Sequence, residues 1–183
     1  MDTFLAWLET FFAWREASFA WIETGAFSTW LRETPSVWVF PFLLVLHTVG
    51  LAFFVGANVA VDLRAIGVAS RVPLASLERY FLVMLAGFWT NAASGVLLLI
   101  AYPTKALTNP LFYAKLSLIG VGLAMALSMR RRLREMSGDE AVVPAPPAMT
   151  RLAAVSLVCW VAVIFAGRLL AYTCTRLTWD SPC

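Results

Sequence analysis

The groups in this chain that can do chemistry are few, and they lie in strongly apolar surroundings. His47 is the only histidine, in the middle of PSVWVFPFLLVLHTVGLAFFVGANVAVD at 35–62. An imidazole at hydrocarbon depth is costly, so it marks either a helix–helix fastening or a functional site. It can ligate haem iron, hydrogen-bond a quinone or relay a proton. Thr90, Asn91 and Ser94 lie at the matching depth of the next apolar run, which predicts a polar cluster near the membrane midplane. Lys115 and Arg168 make a second group, about one turn inside the ends of the third and fourth runs. They suit snorkelling to headgroups or the anionic part of a ligand, such as a haem propionate. Asp62 and Arg64, in DLR, read as a local cap and structural ion pair. The cysteines show no C-x-x-C and compose no zinc site with one histidine, so the metal role open to His47 is at a haem iron. Bis-histidine haem within one chain is excluded. No activated nucleophile, carboxylate pair or phosphate loop is visible, which argues against a stand-alone enzyme.

Positioning these groups calls for membrane spans. Residues AVILMFWYC make up 61% of the chain and charged residues 14%. Soluble domains carry roughly a quarter charged residues, so the composition is that of an integral membrane protein. Apolar runs at about 36–57, 80–102, 111–129 and 152–172 are each close to the ~20 residues that cross a bilayer core. The expected fold is all-α: a four-helix membrane bundle over 35–183, preceded over 1–34 by amphipathic interfacial helices. Residues 4–24 repeat as the heptads FLAWLET, FFAWREA and SFAWIET, which puts Trp7, Trp14 and Trp21 on one stripe beside an acidic one. Such a helix lies on the membrane surface or forms a docking seam for a partner. FSTWLRET at 27–34 reads as a second short interfacial helix. In the third span, Gly120, Gly122, Ala124 and Ala126 would let helix backbones approach.

Orientation follows from the arginines. The segments 58–79 and 130–151 hold eight, while the opposite side holds four lysines and arginines. The positive-inside rule therefore puts the 130–151 linker in the cytoplasm and both termini on the periplasmic side. Cys174 and Cys183 then share an oxidising compartment in which a disulfide is permitted. Cys159, within the fourth span, reads as a packing residue. The net charge of +3 is accounted for by these segments, and no basic patch suited to nucleic acid appears.

The motifs P-x5-HT-x-G (Pro41 to Gly50), G-x5-DLR-x2-G (Gly56 to Gly67), P-x6-P-x4-K (Pro103 to Lys115) and AGRLLAY (Ala166 to Tyr172) carry a resemblance. In their order the chain resembles an uncharacterised family of bacterial inner-membrane proteins, a domain of unknown function. The likeness implies four transmembrane helices in a bacterial cytoplasmic membrane and names no activity. His47, Asp62, Arg64, Lys115 and Arg168 fall on its polar motifs. Through LH-x2-G the first span is more loosely similar to copper-resistance D and cytochrome b561-like proteins, from which the single histidine departs. The functional expectation is an accessory or scaffold subunit of a membrane complex, working in the lipid bilayer with other membrane subunits or copies of itself. The alternatives are a redox module binding haem b or quinone through His47, with Thr90, Asn91, Ser94, Lys115 and Arg168 around it, and a small transporter.

Overall fold

A computed structural model describes residues 10, 14, 19–36, 38–68, 71–73, 77–136 and 146–173. Among these residues every regular element is a helix: α1 (Ala26–Glu33), α2 (Val39–Ile66), α3 (Glu78–Ala101), α4 (Pro103–Leu107), α5 (Pro110–Met136) and α6 (Pro147–Tyr172). Helices α2, α3, α5 and α6 are long and apolar enough to cross a membrane. The chain is thus an all-α, multi-pass membrane protein built on a four-helix bundle.

Local chemistry sets the helix ends. Gly67 closes α2 at φ 102°, a left-handed conformation that glycine adopts without strain. The N–H of Val68 reaches Leu63 O at 3.0 Å and that of Gly67 reaches Arg64 O at 3.1 Å, the Schellman arrangement that satisfies the last carbonyls. Asn109 caps α5: its side-chain oxygen accepts from Leu111 N at 2.9 Å, while Pro110 takes the first helical position. The spans run longer than their apolar runs suggest. Helix α2 extends to Ile66 instead of ending near Ala57, and Asn58, Asp62 and Arg64 lie buried within it. Helix α5 carries Arg130, Arg131, Arg132 and Arg134 within it, because arginine is a good helix former and nothing in that run breaks the ladder.

Two helical hairpins make the bundle. Helices α2 and α3 pack tightly on each other, as do α5 and α6; α2 joins the hairpins through α6, while α3 and α5 touch sparsely. The α2–α3 contact depends on two glycines. A Cβ on Gly50 would fall 2.6 Å from the main-chain nitrogen of Asn91, and one on Gly87 would fall 2.5 Å from that of Phe54. Gly122 receives the Trp160 ring in the same way between α5 and α6, whereas Gly120 meets nothing and Ala124 is exposed.

The apolar core is uneven along the bundle. The main cluster, including Phe54, Phe81, Met129, Met149 and Trp160, draws on all four spans and lies toward the end that carries the arginines. At the opposite end the buried cluster is Leu31, Leu43 and Ala101, with Val39, Phe40, Leu97 and Leu98 against it. It belongs to α1, α2 and α3 alone, so α5 and α6 stand outside the core in that half.

Helix α1 is docked, not merely lying alongside. Ser28 Oγ donates to Ile100 O at 2.8 Å, and Arg32 Nη1 donates to Ala101 O at 2.7 Å. These carbonyls end α3 and have no partner within their own helix, and a cation there also meets the negative end of the helix dipole. Arg32 Nη2 meanwhile donates to Glu23 O at 2.9 Å, tying the helical residues 19–23 to the same point.

Candidate functional site

His47 projects from α2 toward α3, about two turns in from the α1 end. It is therefore nearer that end than the midplane depth its position in the apolar run suggests. Its Nδ1 lies 3.0 Å from the main-chain carbonyl of Asn91 and 3.1 Å from Ser94 Oγ. A carbonyl oxygen can only accept, so this shorter contact calls for the tautomer with its proton on Nδ1, in which the Asn91 side-chain amide, 3.3 Å from the same nitrogen, makes no bond to it. Ser94 is prepared to accept as well, because its own hydroxyl donates to Thr90 O at 2.7 Å. Asn91 Nδ2 returns a hydrogen bond to the carbonyl of His47 at 2.7 Å, so the two helices exchange polar contacts at one level.

In the neutral ring this leaves Nε2 as a bare acceptor, and none of the hydrogen bonds among the described residues involves it. Space beside the ring comes from Gly95, whose Cβ, if present, would fall 3.1 Å from His47 Cε1. A histidine held through Nδ1 by a carbonyl, with Nε2 open, has the arrangement of a metal-ligating or hydrogen-bond-accepting imidazole.

Lys115, on α5, is the charged group whose field reaches this site. Its ammonium is within electrostatic range of the imidazole, and its Nζ lies 3.6 Å from where a Gly167 Cβ would be. No hydrogen bond or ion pair ties it to another described residue; the ion pairs found there are Arg32–Glu23 and Arg134–Glu78. It thus stands on the α5–α6 hairpin facing the half of the bundle where the core draws only on the other hairpin.

The structure therefore brings His47, Asn91 and Ser94 into contact and Lys115 into range. It does not bring Thr90 to them, since Thr90 Oγ1 donates to Ala86 O within its own helix at 2.9 Å. Arg168 is exposed and makes no polar contact with a described residue. Nor does it pair Asp62 with Arg64: Arg64 Nε donates to Val72 O, and the Asp62 carboxyl faces Ser156 on α6. Two residues on one helix cannot both turn to the same side two positions apart, so each finds a different neighbour. Trp14 and Trp21 are exposed, while Trp7, Cys174 and Cys183 lie outside the described residues. Cys159 is buried and donates through Sγ to Leu118 O at 3.3 Å, a packing contact between α6 and α5. Among the described residues no three of His, Cys, Asp or Glu gather as a metal cluster.

Sequence reasoning missed Gly95 and Gly167, which leave room beside the imidazole and the ammonium. The one signal available is their spacing: Gly95 follows Asn91 by a single turn, and Gly167 falls within AGRLLAY.

Fold and site together define a multi-pass helical membrane protein with a fixed, open-sided imidazole in its bundle. No protein-family model, curated protein or solved structure matches the chain.

Proposed function

We propose that this chain is a small binding module of a bacterial cytoplasmic membrane that holds a lipid-soluble redox cofactor, a quinone or haem b, through Nε2 of His47. The observation that carries the reading is the 3.0 Å contact of Nδ1 with the Asn91 carbonyl, which calls for the ring proton on Nδ1 and leaves the Nε2 lone pair without a hydrogen bond among the described residues. A quinol would donate an O–H to that lone pair and accept from Lys115 at another oxygen. A haem would take the lone pair at iron and set a propionate against the ammonium. The sparse contact between α3 and α5 supports lateral entry from lipid. The arginine bias supports a topology with the 130–151 segment in the cytoplasm and the α1 end on the periplasmic side.

The test is the cofactor content of the full chain purified in mild detergent from respiring cells. Solvent extraction should recover quinone, or the visible spectrum should show a Soret band. Either signal should fall at least tenfold in His47→Ala. A preparation without either cofactor, or one whose content His47→Ala leaves unchanged, contradicts the reading.

A second role rests on a different observation. Trp14 and Trp21 are 67% and 79% exposed, on the stripe that the heptads predict. That exposure favours an accessory subunit whose N-terminal helix meets a neighbouring membrane subunit or a second copy of the chain. Deleting residues 1–24 should then change the set of co-purifying proteins or the oligomeric state, and an unchanged set counts against it.

A further inference from the structure

A second polar group lies in the main core, and the His47 site makes no use of it. Asn58 and Asp62 stand one turn apart on α2, and Ser156 and Trp160 stand one turn apart on α6, the helix of the other hairpin that α2 packs against. Asp62 and Asn58 are each 3% exposed and Ser156 is 2% exposed. The Ser156 hydroxyl approaches the Asp62 carboxyl, yet Asp62 Oδ2, Ser156 Oγ and Trp160 Nε1 all lack a hydrogen-bond partner. Asn58 commits its amide nitrogen to Phe54 O at 3.0 Å, so its oxygen is the end left over. Around them the core is apolar, with Val61, Ala65, Met129, Met149 and Ala153.

A carboxyl buried in such surroundings without a counter-charge is unstable as an anion. No ion pair joins a described arginine to Asp62, although Arg64 Nη2 and Arg130 Nε are themselves buried without a hydrogen-bond partner. Arg64 donates to Val72 O, Arg130 lies over the Phe81 ring, and Arg134 pairs with Glu78 at 2.9 Å. Asp62 is therefore neutralised by a proton or by a cation from outside the chain. The oxygens left on the two packed helices are the Asp62 carboxylate, the Ser156 hydroxyl beside it and, one turn along α2, the Asn58 amide carbonyl, all hard donors suited to an alkali or alkaline-earth cation. One carboxylate supplies one negative charge, which a monovalent ion balances and a divalent ion would overcompensate. Two closely packed helices favour the smaller monovalent ion.

We propose that Asp62, Ser156 and Asn58 bind a sodium ion between α2 and α6. The ion neutralises the carboxylate and ties the two hairpins together at the one place where their spans pack closely. Water accompanying the ion would give the Trp160 N–H an acceptor. The site is independent of the cofactor reading, because it lies in the other half of the bundle and shares no residue with His47.

The test is the thermal stability of the full chain in detergent, measured in sodium, potassium and choline chloride at matched ionic strength and at two pH values. Binding to the folded state alone raises the melting temperature with ligand concentration. Sodium should therefore give a saturable rise of several degrees over choline, with potassium weaker. Radioactive sodium should bind to the same preparation. Both signals should vanish in Asp62→Asn, which keeps the side-chain shape, and weaken in Ser156→Ala. The wild-type salt comparison stands even if a variant fails to fold. Equal melting temperatures in sodium and choline, a response to pH alone, or a sodium effect that survives in Asp62→Asn would each overturn the proposal.

Discussion

His47 and Asn91 hold each other in both directions: Nδ1 of the imidazole donates to the Asn91 carbonyl at 3.0 Å, and the Asn91 side-chain amide donates to the His47 carbonyl at 2.7 Å. Removing the amide in Asn91→Ala deletes the bond to the His47 carbonyl but leaves the ring held by the Asn91 main-chain carbonyl and Ser94 Oγ. Interhelical polar contacts in membranes average about 0.6 kcal/mol, so the stability loss should stay within about 1 kcal/mol. Cofactor content should change little, since the contacts that orient the ring survive. Reversible unfolding in mixed micelles, read beside cofactor content, checks this; a loss of cofactor as large as that in His47→Ala would contradict it.

Gly50 and Gly87 are expected to tolerate no side chain. Each would drive a Cβ into main-chain atoms of the facing helix, which cannot give way as a flexible side chain does. Gly50→Ala and Gly87→Ala should each cost about 1–3 kcal/mol, the range for overpacked cores. Gly56→Ala and Gly120→Ala, where nothing lies within 4 Å, should be neutral or slightly stabilising. Melting temperatures of the four variants make the comparison.

Arg32 fixes α1 to the end of α3. Arg32→Ala should release α1 at a cost of about 2 kcal/mol, within the range for hydrogen bonds to charged groups. Hydrogen exchange over 26–33 should then accelerate while the four spans stay protected. The exposed Arg134–Glu78 pair gives the contrast: Glu78→Gln should change stability by about 0–1 kcal/mol, because both partners are solvated.

The arginine bias predicts which end faces the cytoplasm. In a cysteine-free background, a single cysteine replacing Arg132 should resist a membrane-impermeant maleimide in intact cells and react after lysis. One replacing Thr104, in α4 at the other end, should react in intact periplasm-accessible cells. The reverse pattern would invert the topology.

The four spans were legible because a run of about twenty apolar residues has few alternatives. Their ends were not, since Arg130–Arg134 reads as a loop by charge yet continues α5 by helix propensity. The contact of His47 with Asn91 and Ser94 was legible from depth, because consecutive antiparallel spans place residues at matching distances from a shared turn. Thr90 failed on rotation rather than depth: it is adjacent to Asn91 but turned to another side of α3 and satisfied by its own helix. The burial of Asp62 was hidden because the helix that covers it, at Ser156, is nearly a hundred residues away, and a polar residue near a span end ordinarily marks the return to water.

The most direct measurement exploits the single imidazole. Nitrogen-15 spectra of the full chain labelled at histidine contain one ring, whose two nitrogens report the proton's position. A protonated Nδ1 and a bare Nε2 are expected in cofactor-free protein, with the Nε2 signal alone shifting strongly when quinol or haem is added. A proton found on Nε2 with Nδ1 bare, or a spectrum that neither ligand alters, would contradict it.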